Sequence, residues 1–451
     1  MLITDIVRRV RRGRPLLADI ISTSLVLSMG KGAGFLVPFF IAAWFGAGVE
    51  TDVFFLVYTL VLIVNHVFST VIENVIVPFI SQKKARGQEL GEFIGPVVSR
   101  GLAVVGCLYA LMLLVLGPVA GSLTGFTAGQ VQLLYRLLLE ISPMILAAFG
   151  ASVLSGVYFA NHRFLLVSIS PMLRAAVTLV IIYRLRFRLG IHAVALGYLC
   201  GELLRLLMLA IPLKSLGIRG WRFFTRMDRE VKDFFKAISF QVVATASFSL
   251  NTSVDRIMAA PLGTGQISLL HYAERLYYIP SVFIVGGIMV PLLSHWSTRY
   301  STHGRERLQA DVAKAVRWLA AWSMLLTVAA VLLRQPLVRL VFFHNRIGAA
   351  DLSTTAAIFG GYMVALIPHT IAALYIRAHW ILRRNRRVMV LALATVPLNI
   401  VLNRILMVPL GTPGIALATA FSMLFQAVFL HFSFRNLVLN HAEKRLPDDD
   451  R

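Results

Sequence analysis

Long apolar runs separated by short basic segments constrain this chain more than any other feature of its sequence. A helix needs roughly 20 apolar residues to cross the hydrocarbon core of a bilayer, and runs of that length recur throughout the 451 residues. Hydrophobic residues make up 58% of the chain and charged residues only 14%, which leaves too little polar surface for a globule that faces water on all sides. We therefore predict an all-α polytopic membrane protein with about twelve transmembrane helices. The predicted spans are 18–44, 53–80, 97–120, 133–158, 164–184, 190–213, 236–258, 268–294, 314–334, 353–378, 387–408 and 413–435.

The distribution of Lys and Arg predicts the orientation of the chain. The net charge is +23, and most basic residues lie in or next to the N-terminal segment, the even-numbered loops and the C-terminal tail. Cytoplasmic loops carry such an excess, so we expect both termini in the cytoplasm and contacts with anionic membrane lipids, with no role for nucleic acid. The exceptions are Arg339 and Arg346 in the ninth loop and Arg184, Arg186 and Arg188 in the fifth. The three arginines of the fifth loop indicate either that an anionic group binds on the outer face or that the fifth helix ends early.

Short motifs recur in the two halves of the chain. Residues 77–81 read Val-Pro-Phe-Ile-Ser and residues 290–294 read Val-Pro-Leu-Leu-Ser, and Gly-Ile begins both 190–193 and 414–417. Such matches predict two parallel six-helix repeats, an arrangement typical of transporters whose substrate site lies between the halves. The predicted domains are a cytoplasmic basic amphipathic lead-in at 1–17, an N-terminal six-helix lobe at 18–213, a cytoplasmic basic linker at 214–235, a C-terminal six-helix lobe at 236–435 and a cytoplasmic tail at 436–451.

Polar side chains inside the predicted helices gather in the first pair of each repeat. A charge in a membrane helix is costly and usually faces a cavity or a partner, so we expect these groups to line one cavity and contact the substrate. Two alternatives stay open, in which Lys31 pairs with Glu73 or Glu274 pairs with Arg275 within its own helix. The candidate substrate-binding residues are Lys31, Asn65, His66, Glu73, Arg256, Glu274 and Arg275.

A second polar group lies in the last two predicted helices. Asn399 and Asn403 are spaced i, i+4 and share a helix face, and Thr419 in the next helix could approach them. Their oxygens suit a monovalent cation, but the set contains no carboxylate, so an interhelical hydrogen-bond clamp is the preferred interpretation.

The sequence contains none of the familiar catalytic motifs, such as Gly-x-Ser-x-Gly, a Walker loop or His-Glu-x-x-His. We therefore predict that the protein is not an enzyme and needs no cofactor. Without a nucleotide-binding loop, transport would depend on a Na⁺ or H⁺ gradient, on the membrane potential or on consumption of the product.

Two segments resemble a known family. Residues 45–55 read Phe-Gly-Ala-Gly-Val-Glu-Thr-Asp-Val-Phe-Phe, and residues 271–280 read His-Tyr-Ala-Glu-Arg-Leu-Tyr-Tyr-Ile-Pro. Both are similar to motifs of the MurJ/MviN lipid II flippases, within the multidrug/oligosaccharidyl-lipid/polysaccharide exporter superfamily. The resemblance implies a V-shaped, MATE-like two-lobe fold in a bacterial inner membrane, alternating access, and a cationic cavity for the pyrophosphate of an undecaprenyl-linked saccharide.

The resemblance also suggests roles for single residues. Arg275 matches the arginine of the helix 8 motif, and Lys31 stands where many members have arginine. Asn65 and His66 take the place of an Arg-Arg pair. Some relatives hold sodium with Asn and Asp on helix 11 and Thr on helix 12, and this chain has Asn403 in place of the acid.

The expected function is therefore translocation of a lipid-linked saccharide for cell-envelope synthesis. The saccharide could be lipid II or an exopolysaccharide or O-antigen repeat unit. Three alternatives remain. The cationic Lys31 and Arg275 argue against a multidrug or cation antiporter of the same superfamily. The other two are a membrane glycosyltransferase or ligase, which would need a sizeable outer loop, and an envelope-synthesis scaffold that does not transport.

Overall fold

The computed structural model describes residues 34–86, 88–161, 163–216, 229–342, 346–382 and 384–442, nearly all of them helical. The predicted lead-in at 1–17, Lys31, much of the linker and the end of the tail lie outside these ranges. In chain order the helices are α1 (Gly34–Phe45), α2 (Val49–Ala85), α3 (Gly91–Thr124), α4 (Ala128–Ile141), α5 (Pro143–Ala160), α6 (Phe164–Leu189), α7 (His192–Ala210), α8 (Arg229–Ala259), α9 (Gln266–Ser281), α10 (Met289–Leu332), α11 (Arg334–Phe342), α12 (Ala349–Ile381), α13 (Asn385–Leu410) and α14 (Thr412–Ala442).

Every predicted span overlaps one or more of these helices. Eight helical stretches among the described residues are long and apolar enough to cross a membrane, and α1 is a shorter apolar helix. The fourth span comprises α4 and α5, which follow one another without a loop because Pro143 begins α5 at a position where its missing N–H costs nothing. The chain is a multi-pass membrane protein, as its apolar runs predicted.

Packing divides the chain into two units, one formed by Met1–Phe45 with Val49–Ser249 and the other by Gly46–Gly48 with Leu250–Arg451. In the first unit, α5 packs against α2 and α7, and α6 packs along α7. In the second unit, α12 is central and packs against α9, α10 and α14. The division falls within α8, whose last ten residues belong to the second unit.

Equivalent elements of the two units share their lengths and their helix ends, as expected of an internal repeat. The α4–α5 stretch Ala128–Ala160 and the α12 stretch Ala349–Ile381 each have 33 residues. Helices α6 and α13 each have 26 residues. Gly190 ends α6 at φ 55° and ψ −135°, and Gly411 ends α13 at φ 62° and ψ −142°. A positive φ favours glycine, so the same residue type terminates both helices for the same reason.

The connection between α9 and α10 departs from regular α-helix. Val282–Ile288 forms a π-helix directly after Pro280, which lacks a backbone N–H and disturbs the hydrogen-bond ladder. The guanidinium group of Arg377 in α12 donates to the carbonyl oxygen of Val285 at 3.1 Å. Arg377 therefore satisfies part of the backbone of this irregular segment, which explains why an arginine is retained in a membrane helix.

Candidate functional site

The first polar site lies in the second unit, where α8 meets α13 and α14. Asp255 of α8 accepts hydrogen bonds through Oδ1 from the side-chain amides of Asn399 at 2.6 Å and Asn403 at 2.8 Å. Its Oδ2 accepts from the Thr419 hydroxyl at 3.1 Å. Ser422 donates to the Asn399 amide oxygen at 3.1 Å. We call these five residues the Asp255 cluster.

The Asp255 cluster is closed off from solvent. Asp255 is 4% exposed, Asn399 1% and Asn403 0%. A carboxylate buried in this way requires either several donors or a cation, because its desolvation is costly. Two amide groups and a hydroxyl supply the donors, and they come from two helices more than 140 residues further along the chain.

The cluster's oxygen atoms fit a hard monovalent cation. The amide oxygen of Asn403 is buried and has no hydrogen-bond partner among the described residues, so one acceptor at the site remains unused. Which amide atom is oxygen is decided by the surrounding hydrogen bonds, and both asparagines could turn oxygen toward a cation. Among the described residues no group of three or more His, Cys, Asp or Glu side chains could hold a metal ion, so a site for a soft or transition metal is not indicated.

One residue of this site, Asp255, was not predicted from the sequence. Asn399, Asn403 and Thr419 were expected to come together, and they do. The assumption that the set lacks a carboxylate is wrong, because Asp255 provides one from α8, and its hydrogen bonds to Asn399, Asn403 and Thr419 link the helices as the clamp interpretation expected. The signal was present in the sequence as an aspartate near the end of a predicted membrane span.

The second polar site lies on the other side of α8, against α9. The Arg256 guanidinium Nη2 contacts the Glu274 carboxylate at 2.6 Å and His271 Nδ1 at 2.7 Å. Arg275 Nε approaches His271 Nε2 at 3.3 Å. We call Arg256, His271, Glu274 and Arg275 the Arg256 cluster. Consecutive residues of a helix point about 100° apart, so Asp255 and Arg256 serve different neighbours.

The two arginines of this cluster differ in how far they are buried. Arg256 is 2% exposed, Glu274 7% and His271 0%, whereas Arg275 is half-buried. A neutral imidazole has one acceptor nitrogen, so His271 accepts from only one of the two guanidinium groups at a time. The predicted alternative in which Glu274 pairs with Arg275 is corrected here, because the ion pair of Glu274 is with Arg256. Arg275 is the arginine of this cluster that can be reached from outside.

The remaining predicted site residues lie in or before α2. Asn65 is half-buried in this helix. His66 and Glu73 also lie in α2, but their side chains lie outside what the structure describes. Lys31 lies outside it altogether. The predicted pairing of Lys31 with Glu73 therefore stays a prediction.

The first unit contains a buried charge group that the sequence only partly indicated. Glu202 of α7 is 0% exposed, and its two oxygens each lie 2.9 Å from a guanidinium nitrogen, one of Arg174 in α6 and one of Arg205 in α7. Glu202 and Arg205 are spaced i, i+3 and therefore share one face of α7. Arg174 reaches the same carboxylate from α6. We call these three residues the Glu202 cluster.

Comparison with known proteins connects this geometry to a family. A model of the family described as lipid II flippase MurJ matches residues 41–444. A probable lipid II flippase MurJ of Thermotoga maritima is 24% identical over 417 residues, covering 91% of this chain and 84% of the relative. Three other curated relatives align over only 253 to 282 residues, and the chain spans about half the length of each.

Solved structures agree on the fold. A lipid II flippase MurJ in an inward closed conformation superposes with a TM-score of 0.79 at 20% identity, covering 92% of this chain and 87% of that one. An inward-facing multidrug resistance MATE transporter gives 0.75 at 13% identity, covering 94% and 99%. The predicted MurJ/MATE-like helical transporter fold is confirmed. With a family model matched over most of its length, this chain belongs to the lipid II flippase MurJ family.

Proposed function

We propose that this protein is a flippase that moves an undecaprenyl-pyrophosphate-linked saccharide across a bacterial inner membrane, for synthesis of cell-envelope glycan. The main support for this proposal is the positive charge of the Arg256 cluster. The cluster contains two guanidinium groups, one carboxylate and one histidine, so the charges of these four side chains sum to a positive value inside the membrane. An intramembrane charge of this kind is a functional site by default, and a pyrophosphate is its natural complement.

Within the cluster the two arginines have different tasks in this proposal. Arg256 is buried against Glu274 and holds the end of α8 to α9. Arg275 is half-buried, lies one residue after Glu274, and presents its guanidinium over the ring of Tyr278, 5.5 Å from the centroid. A planar guanidinium can donate two parallel hydrogen bonds to a phosphate. We assign pyrophosphate contact to Arg275 and to Lys31, and sugar contact or cavity shaping to Asn65, His66 and Glu274.

Family membership supports a lipid-linked substrate because the named relatives are lipid II flippases, which move a lipid and are transporters rather than enzymes. Lipid II is therefore the first candidate, and an exopolysaccharide or O-antigen repeat unit carries the same pyrophosphate. The side chain of His66, one of the residues assigned to sugar contact, lies outside what the structure describes. The pyrophosphate linkage is common to lipid II and to the other repeat units, so both kinds of saccharide are candidates.

The Asp255 cluster supplies a route for coupling in the same proposal. Asp255, Asn399, Asn403 and Thr419 would hold a monovalent cation, most simply Na⁺, which would neutralise the buried carboxylate. Because Asp255 and Arg256 are consecutive, a charge change at one alters the electrostatics of the other. A cation gradient could in this way bias the state of the Arg256 cluster, and with it the affinity for the pyrophosphate.

The test is transport by variants at the assigned cations. In cells that depend on this chain for flipping, Arg275→Ala and Lys31→Ala should each reduce the exposure of lipid-linked glycan on the outer surface, and the double variant should abolish it. Arg404→Ala removes an exposed arginine from α13 of the same unit and is the matched control. Full transport by a well-expressed double variant would refute the residue assignment, and drug sensitivity without a glycan defect would favour the antiporter alternative.

We further propose that both termini lie in the cytoplasm, on the basis of the Lys and Arg distribution. Reporter fusions at each end that are active only in the cytoplasm would test this orientation. Activity of a periplasm-specific reporter at either terminus would reverse it.

A further inference from the structure

Three arginines at the end of α6 have no place in the proposed function. Helix α6 runs through Arg184, Arg186 and Arg188 to Leu189, so the alternative that the fifth helix ends before them is wrong. The apolar span Leu165–Leu189 has 25 residues, which at 1.5 Å per residue is about 37 Å, longer than the hydrocarbon core of about 30 Å. The last turns of α6 therefore reach the level of the lipid headgroups.

Aromatic rings hold Arg186 in place. Its guanidinium carbon lies 4.6 Å from the ring centroid of Phe187, 4.7 Å from that of Tyr183 and 5.0 Å from that of Trp44 in α1. Such cation–π contacts favour the charged form without neutralising it. The Nε atom of Arg186 is buried and has no hydrogen-bond partner among the described residues, so a donor remains available at the centre of this group.

The other two arginines extend the same positive surface. Arg184 and Arg188 are exposed and are spaced i, i+4, so their side chains lie side by side and repel one another. None of the three arginines makes an ion pair with an acidic group among the described residues. The favourable interaction of a cation with a helix C-terminus accounts for one such charge in the last turn. It does not account for three without a counter-charge.

Exposed apolar and aromatic side chains surround the three arginines. Val180 is 60% exposed, Tyr183 54% and Phe187 80%, and their spacing places them along one stripe of α6 next to Arg184 and Arg188. A soluble anion would contact only the arginines and leave the apolar stripe exposed. A phospholipid can contact both, because its headgroup phosphate binds the arginines and its acyl chains cover the stripe.

We propose that Arg184, Arg186 and Arg188, with Trp44, Tyr183 and Phe187, form a binding site for the headgroup phosphate of an anionic phospholipid. This group of residues is the Arg186 cluster. In the orientation predicted from the loops it binds lipid of the outer leaflet. The site belongs to the first unit alone and does not depend on the proposed flippase activity or on the identity of the transported saccharide.

Native mass spectrometry of the purified full chain with added lipid tests this site. Phosphatidylglycerol should bind more tightly than phosphatidylcholine with the same acyl chains. In the double variant Arg184→Gln and Arg188→Gln the affinity for phosphatidylglycerol should fall roughly 30-fold, or about 2 kcal/mol, since each arginine near an anionic surface contributes about 1 kcal/mol. Where the double variant does not fold, each single variant should show a roughly fivefold loss.

The control removes the same charge elsewhere. Arg339 and Arg346 are exposed and lie in the ninth loop on the same predicted side, so Arg339→Gln with Arg346→Gln should change the affinity by less than twofold. An equal loss in this control, or unchanged binding in the Arg184 and Arg188 variants, would overturn the proposal. Displacement of phosphatidylglycerol by sodium pyrophosphate, but not by chloride of equal ionic strength, would also overturn it in favour of a soluble anion.

Discussion

Removal of the Glu202 carboxylate is expected to destabilise the first unit strongly. Glu202 is fully buried and bridges Arg174 and Arg205 through two contacts of 2.9 Å, and the side chains of these arginines are only 24% and 11% exposed. In Glu202→Gln the two guanidinium groups keep their charge and lose their shared counter-ion. Breaking a buried ion pair by removal of one partner typically costs about 3–5 kcal/mol. Reversible unfolding in mixed micelles measures the free energy change.

A matched control comes from another carboxylate of the same unit. Glu140 contacts His192 at 2.8 Å, but both side chains are about one-third exposed, at 32% and 31%. An exposed pair contributes about 0–1 kcal/mol, so Glu140→Gln should have little effect. A Glu202→Gln cost no larger than that of Glu140→Gln would refute the reasoning that burial makes this group critical.

The whole charge group can also be replaced. A triple variant with Arg174→Met, Glu202→Leu and Arg205→Met removes all three charges and keeps the volume similar. Replacement of a buried ion group by apolar residues is often neutral or stabilising, so we expect this variant to recover most of the stability lost in Glu202→Gln. Failure to recover would show that the cluster's hydrogen bonds to its neighbours, and not the unpaired charge, carry the cost.

Three further predictions concern helix packing, pH and cation binding. A Cβ at Gly201 would lie 2.5 Å from the Thr178 hydroxyl oxygen and 2.8 Å from the Arg174 carbonyl oxygen, so Gly201→Ala should cost about 1–3 kcal/mol. Gly106→Ala, which meets nothing within 4 Å, should not destabilise the protein in the same unfolding assay. The hydrogen bond from Lys83 lowers the pKa of Glu230. Its stabilising effect is therefore present at neutral pH and lost as the pH falls below the ordinary glutamate pKa. Glu230→Gln should lower the melting temperature slightly at pH 7 and by less at pH 3.5, and an equal effect at both would contradict this. Sodium at 100 times its dissociation constant should stabilise the protein by about 2.7 kcal/mol relative to choline, and Asp255→Asn should abolish this difference. A sodium effect that survives in the variant would exclude the Asp255 cluster as the binding site.

Much of the fold was predictable from the sequence because the bilayer imposes a length on every span. The run at 164–184 predicted α6, and the run at 387–408 predicted α13, each within a few residues at one end. The Gly-Ile motifs at 190 and 414 indicated a repeat, which the matching helix lengths support, but the residue that structurally matches Gly190 is Gly411. What the apolar runs could not give is the rotation of each helix about its axis, since lipid accepts apolar side chains on every side.

The candidate sites show where prediction from sequence stopped. Glu202 and Arg205 lie three residues apart, and helical periodicity alone brought them together. Arg174 reached the same carboxylate only through the close packing of α6 on α7, which Gly197 and Gly201 permit because a Cβ at either position would clash with α6. Local spacing predicts contacts within a helix, and contacts between helices require the packing itself.

The sequence by itself determined that this chain crosses a membrane many times and which family it resembles, because span length and the two motifs are local properties. Only the tertiary structure decided that Asp255 meets Asn399 and Asn403, and that Glu274 pairs with Arg256 instead of its neighbour Arg275. The physical reason is that a buried charge selects its partner by distance and direction in a low dielectric. Those quantities are fixed when helices distant in the chain pack against each other.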